Sequence, residues 1–180
     1  MFKSISTAFH IKELRKKLLF TIGMIMLVRI GSQIPVPGID ASYFKEWFQR
    51  NSNGAFNILS AFTGGSFEKF SVFGLGITPY ITASIIIQLL SIVIPALEEL
   101  RRDGDYGQKK MEWINRGTAI GLAFAESVAM SIGFGRSGLI PNMSILRGIS
   151  IVFFLTGGSA LLILAGELIK KHGVGNGISI

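Results

Sequence analysis

The sequence predicts an all-α membrane protein, a transmembrane helical bundle with a broken second helix and a short re-entrant segment before it. Three observations carry that expectation. Hydrophobic residues make up 49% of the 180 and charged ones only 16%, whereas soluble domains carry about 25% charged residues. From Val72 to Leu97 there is no charge at all, a length that a membrane span of roughly 20 residues needs and a soluble core helix does not. That run also holds Gly74, Gly76, Thr78, Pro79, Thr82, Ser84 and Gln88. Helices that face lipid do not need so many small and polar groups; helices that line a protein-enclosed, water-accessible passage do.

The remaining composition removes function classes. With no cysteine in the 180 residues, disulfides and thiolate metal sites drop out. The formal charge of +7 suggests nucleic acid, but the basic residues fall between apolar runs rather than along one face, so direct nucleic-acid binding is not expected. They read instead as a topology signal.

Taken in order, residues 1–17 are expected to form a cytoplasmic interfacial segment, with Phe2, Ile5 and Phe9 on one helical face. A first span is expected over 18–34, stopped by Pro35-Val36-Pro37-Gly38, since neither proline donates a helical hydrogen bond. An external segment, 35–71, follows. Within it Ala55–Phe67 is apolar but too short to cross a bilayer; it is either a surface-packed helix or a re-entrant element ending at Gly64-Gly65, which would continue into the second span as one broken helix. That second span is expected over 72–97, then a hydrophilic cytoplasmic loop over 98–116 with a turn at Asp103-Gly104-Asp105. A third span at 117–134, an external loop at 135–147, a fourth span at 148–169 and a cytoplasmic turn at 170–180 complete the chain. With the start of the chain inside, the inner segments hold twelve lysines and arginines and the outer ones five, so both ends are expected in the cytoplasm.

Gly117, Gly121, Ala125, Ala129 and Gly133 recur every fourth residue in the third span, a pattern that lets another helix approach closely. Gly157-Gly158-Ser159 in the fourth reads the same way. Besides Glu167 at the inner end of the fourth span, two charges fall inside spans. Arg29 lies near the outer end of the first and can snorkel to the interface. Glu126 sits mid-span in the third, where a carboxylate costs at least about 2–3 kcal/mol on insertion scales; protonation, a partner across the bundle and contact with channel water all stay open.

An enzyme is not expected. An intramembrane hydrolase needs a base, yet the histidines, His10 and His172, lie outside the spans, and no aspartate lies within one. Glycine loops of the nucleotide-binding type are absent, and no cofactor or metal is implied. Half of a broken-helix secondary transporter is the rival reading, and it requires polar ligands at mid-membrane. Instead Ile77, Ile81 and Ile85, spaced by four, place three isoleucines on one helical face. Spacing alone leaves open whether that face lines a passage or meets lipid and neighbouring helices.

The run Ser71–Leu90, with its G-x-G-I-x-P-Y-I-x-A-S-I-I-I-Q-L-L pattern, resembles the signature of the SecY family, the large subunits of protein-conducting channels. Leu18–Asp40, ending RIGSQIPVPGID, resembles that family's first helix and its exit. Phe62–Phe67 is similar to the end of the family's plug, and Gly173–Ile180 to a turn that leads into a fifth helix.

The resemblance implies half of an inverted-repeat channel that passes unfolded secretory chains and releases membrane segments sideways into lipid. It places the pore ring at Ile77 and Ile81, with Ile85 open between lining and packing. The plug falls on Phe56, Ile58, Leu59, Phe62, Gly64, Gly65 and Phe67. The lateral gate falls on Thr82, Ile86, Gln88 and Leu89, with Gln88 read as a buried amide. At Glu126 the family more usually has an uncharged polar residue. The implied partners are small subunits of the SecE and SecG type, a SecA motor or a ribosome acting mainly through the other half, signal sequences and unfolded polypeptides, and the lipid bilayer. The implied location is the bacterial inner membrane or an organellar one.

Overall fold

The computed structural model describes residues 12–37, 39–51, 54, 58, 60–61, 63–138, 140, 144–175 and 177. Helix α1 (Lys12–Gly31) leads through turns into α2 (Ala41–Asn51); beyond it the described residues 54, 58, 60 and 61 are helical, and turns over 63–77 then reach α3 (Thr78–Val93), followed by α4 (Pro95–Arg102), α5 (Gly104–Arg136) and α6 (Ile145–His172). Among the described residues there is no strand, only an isolated antiparallel bridge between Pro35 and Ser71.

Two helices, α5 and α6, are long and apolar enough to cross a membrane, and α3 with α4 makes a third such unit bent by 104° at Ile94. Helix α1 is charge-free only from Leu18 to Val28. It starts earlier than the expected first span and ends at Gly31, short of Ile34.

Two expected boundaries are corrected. Residues 72–77 are turns rather than the first part of a helix, with Gly76 at φ 61°, and α3 starts at Thr78 with Pro79 in its first turn. That is where a missing N–H costs nothing. The expected hydrophilic loop 98–116 is a helical hairpin. Its only break is at Asp103-Gly104, where Gly104 takes φ 61°. Glu, Arg, Lys, Gln and Met are good helix formers, and tertiary support from α4 extends α5 beyond its apolar part. At 1.5 Å per residue α5 runs about 50 Å, against a hydrocarbon core of about 30 Å.

Helix α3 buries Pro79, Ala83, Ile87 and Ser91, and α5 buries Asn115, Ala119, Ala123, Ser127 and Ser131. Both are four-residue stripes of mostly small side chains, and Ala83 meets Ala119 and Ile163 in one apolar cluster. The stripe expected to pack, Gly117 to Gly133, faces outward instead: Ala125 and Ala129 are exposed, and nothing lies within 4 Å of a Cβ built at Gly117, Gly121 or Gly133. Between α5 and α6 the hydroxyls of Ser127 and Thr156 share a hydrogen bond of 2.9 Å.

The segment between α1 and α3 has its own core. Asp40 caps α2, its carboxylate accepting from the N–H of Ser42 at 3.0 Å and of Tyr43 at 3.3 Å. Phe44 and Phe48 of α2 then pack on Phe67, Phe70, Leu75, Ile151 and Leu155. Phe44 sits edge-on to Phe67, Phe70 and Phe134.

Candidate functional site

The turns at 63–77 lead from the segment after α1 into α3, and three devices hold them. The exit of α1 is stitched to them: Val36 N–H donates to the Phe70 carbonyl and Val72 N–H to the Ile34 carbonyl, each at 3.0 Å. Phe67 and Phe70 are buried in the aromatic cluster. On α6, Gly158 lets the helix lie directly against the Val72 backbone, and the fully buried Ser159 donates its hydroxyl to the Gly76 carbonyl at 3.4 Å. Together these set the direction in which α3 leaves.

Upstream of the turns, Ile58, Ser60 and Ala61 have helical backbone. Gly64 N–H donates to the Ala61 carbonyl and Gly65 N–H to the Ser60 carbonyl, with φ of 60° and 80° at the two glycines. This is the paired closure of a Schellman cap, whose left-handed position suits glycine. Arg29 Nη1 donates to the Gly64 carbonyl at 3.3 Å. The intramembrane arginine expected only to snorkel therefore has a partner on the plug-like segment. Of that segment's residues, Phe56, Leu59 and Phe62 lie outside the described set, Ile58 is exposed, and Phe67 is buried.

Two hollows open beside α3. A cavity of about 360 Å³ lies between α1, the turns and α6, and Arg29, Thr63, Gly64, Ser66 and Ile77 are on its wall. The second, about 560 Å³, is lined by Tyr80, Ile81, Ser84, Ile85, Gln88 and Lys170. Ile81 and Ile85 are 45% and 53% exposed. The structure thus brings these two isoleucines together on an open face, opposite the face buried on α5. Ile77, the cap residue of α3, is only partly exposed and looks into the neighbouring cavity.

The gate candidates divide. Thr82 and Ile86 are partly buried beside the α5-facing stripe, and Leu89 is exposed. Gln88 is corrected: its amide is exposed, not buried, and donates to Ser84 Oγ at 3.1 Å within its own helix. Glu126 is partly buried on α5, on one ridge with Leu122 and Met130, which pack on the apolar cores. No hydrogen bond or ion pair to it is formed by the described residues. Among those residues no group of three or more His, Cys, Asp or Glu side chains could hold a metal.

A family model described as SecY matches residues 71–180. The chain belongs to the SecY family.

Protein translocase subunit SecY of Halalkalibacterium halodurans is 44% identical over 183 residues. The subunits of Bacillus subtilis (strain 168) and Staphylococcus aureus (strain NCTC 8325) are 42% and 40% identical over 184. Each comparison takes in 100% of this chain and 42% of the relative, so the chain spans less than half the length of the SecY proteins it matches. Among solved structures, Sec61 in the canine ribosome–channel complex from the endoplasmic reticulum shares the fold. The TM-score is 0.61 at 23% identity, over 91% of this chain and 34% of that one.

One feature of this SecY chain was not anticipated from sequence. At the end of the bundle away from the aromatic cluster, Arg116 on α5 forms a two-pronged ion pair with Glu167 on α6, its Nε donating to Oε1 at 2.9 Å. The Trp113 ring lies 5.1 Å from the guanidinium carbon, and Lys170 donates to Glu112 at 2.6 Å one turn away. The available signal was Glu112/Arg116 on one helix against Glu167/Lys170 on the next, opposite charges at matching ends of an antiparallel pair. The Arg116–Glu167 side chains are 33% and 25% exposed, against 56% and 55% for the outer pair. Glu167→Ala is therefore expected to cost about 1–2 kcal/mol, less than a fully buried pair because water still screens it, and Lys170→Ala under about 0.5 kcal/mol. Thermal unfolding in detergent reads both; equal shifts would contradict the ranking.

Proposed function

We propose that this chain forms the N-terminal part of a protein-conducting channel, passing unfolded secretory chains across a membrane and releasing apolar segments sideways into lipid. The observation that carries the reading is the open aliphatic face of Ile81 and Ile85, on a helix that starts only after the fixed turns of 63–77. Branched apolar side chains give a passing polypeptide no hydrogen-bond partner, so such a face selects no sequence and repels water. Ile77 continues the ring at the cap of α3. The segment from Phe56 to Phe67 is the plug beneath it, and Thr82, Ile86, Gln88 and Leu89 make one side of the lateral gate. Glu126, on the ridge beside α3, adds a polar group to that side. The names of the relatives, protein translocase subunits, support this reading and do not support the solute transporter.

Assembly follows from the same chemistry. One wall does not close a pore, so the opposing helices come from the rest of a longer polypeptide or from another chain, with small SecE- and SecG-type subunits around them. No cofactor is used and no bond is made or broken; the driving energy comes from a SecA-type motor or a ribosome. The basic-residue count supports a cytoplasmic side for the Arg116–Glu167 end, and the bacterial relatives support the bacterial inner membrane, with an organellar membrane as the alternative.

The test is photocrosslinking in native membranes. A photoreactive residue at position 81 or 85 is expected to capture a stalled secretory chain, and one at Phe153, exposed on α6, to capture lipid. Capture of the stalled chain at 153 and not at 81 would reject the reading.

A further inference from the structure

We propose that Arg29 is a latch that holds the plug at its hinge, a positioning role that rests on reading Phe56–Phe67 as a plug. Two helix ends converge on this one guanidinium. Arg29 stands in the last turn of α1, and its Nη1 donates to the Gly64 carbonyl at the capped end of the helical turn carrying Ser60 and Ala61. The carbonyls at both ends already accept capping bonds, but each end keeps the partial negative charge of a helix C-terminus, so a cation between them stabilises both. Gly64 is matched to the contact: its left-handed φ favours glycine, and a Cβ there would run into the Arg29 guanidinium.

What makes this a latch is the difference between the two sides of Gly64-Gly65. Downstream, Phe67 and Phe70 are buried in the aromatic cluster, Ser71 N–H donates to the Ser66 carbonyl, and Phe70 and Val72 are bonded to the exit of α1. That side is an anchor. Upstream, Ile58, Gly64 and Ala61 are exposed, and the Arg29 bond ties this side to α1. Displacing the plug about the two glycines breaks the Arg29 bond and the bonds that Thr63 accepts from the N–H groups of Ser66 and Phe67, and leaves Phe70 and Val72 bonded to the exit of α1. A charge-assisted bond of this kind biases the closed state by a factor of about ten.

The experiment measures resting ion conductance of the native channel polypeptide carrying this sequence, assembled with its subunits in planar bilayers. Arg29→Gln is expected to raise the resting leak about tenfold, and Arg29→Lys, which keeps a cationic donor, to restore most of the seal. In a channel lacking residues 56–62, Arg29→Gln is expected to add nothing. An equal rise in that background, or no rise with the plug present, overturns the latch. If Arg29→Gln fails to accumulate in the membrane, Gly64→Ala approaches the same contact from the other side and carries the same expectation and the same refutation. A deletion that itself leaves the leak unchanged rejects the plug reading, and the latch with it, whatever Arg29 does.

Discussion

Gly158→Leu is expected to abolish assembly of the native protein, and Gly158→Ala to cost about 2–4 kcal/mol. A Cβ at position 158 would collide with the carbonyl oxygen, carbonyl carbon and Cγ1 of Val72. Two of those atoms are backbone and cannot swing away. Nor can the segment move as a whole, because Pro35 and Ser71 bridge it on one side and Ser159 holds the Gly76 carbonyl on the other. The strain would therefore pass into the cap of α3 and rotate Ile77, Ile81 and Ile85 together. Gly157→Ala is the matched control. Nothing lies within 4 Å of a Cβ at 157, so the added methyl is expected to stabilise α6 by up to about 1 kcal/mol through helix propensity alone. Thermal unfolding of the purified protein in detergent separates the two, and equal effects at 157 and 158 would show that Gly158 is not the point of contact.

That contact was half legible in the sequence. Gly157-Gly158-Ser159 announces close packing, but not which glycine packs or against what, since both are small and only the helix register distinguishes them. The same gap explains the stripe on α5. A four-residue repeat from Gly117 to Gly133 says which residues are small, while the facing helices select the offset stripe Asn115 to Ser131. Hydropathy located the apolar run at Val72–Leu97 because it measures partition into lipid. It says nothing of conformation, so the turns at 72–77 and the bend at Ile94 were invisible to it, although Pro79 and Pro95 each mark a helix start. The helical hairpin of 98–116 was missed for the converse reason: its residues are polar and also good helix formers. The isoleucine spacing was readable because it depends on one helix alone. The bond from Arg29 to Gly64 spans 35 residues with no pattern to announce it, and the pair of Arg116 with Glu167 spans 51, legible only once the two helices are known to run antiparallel.

Ile81→Asn is expected to raise resting ion conductance of the native channel about tenfold, with a smaller rise for Ile85→Asn. Water responds before ions do. A narrow waist lined by aliphatic carbon stays dry because water entering it loses hydrogen bonds and gains none. An amide placed there returns part of that loss; a polar group in an apolar setting is worth roughly 1–3 kcal/mol, and about 1.4 kcal/mol, in the lower part of that range, multiplies the wetted population tenfold. Ions follow the water. Ile81 stands closer to the fixed turns than Ile85, so a new amide there has less freedom to turn away. Ile149→Asn on the exposed side of α6, where the isoleucine is 61% exposed, is expected to impair insertion without opening a conductance. That control separates polarity as such from polarity at the waist. Single-channel recording decides. If Ile81→Asn leaves the channel sealed while a photoreactive group at position 81 still captures the stalled chain, Ile81 touches the substrate without forming the seal. The barrier to ions would then rest on the plug and on Ile77, which looks into the cavity that Arg29 and Gly64 also line.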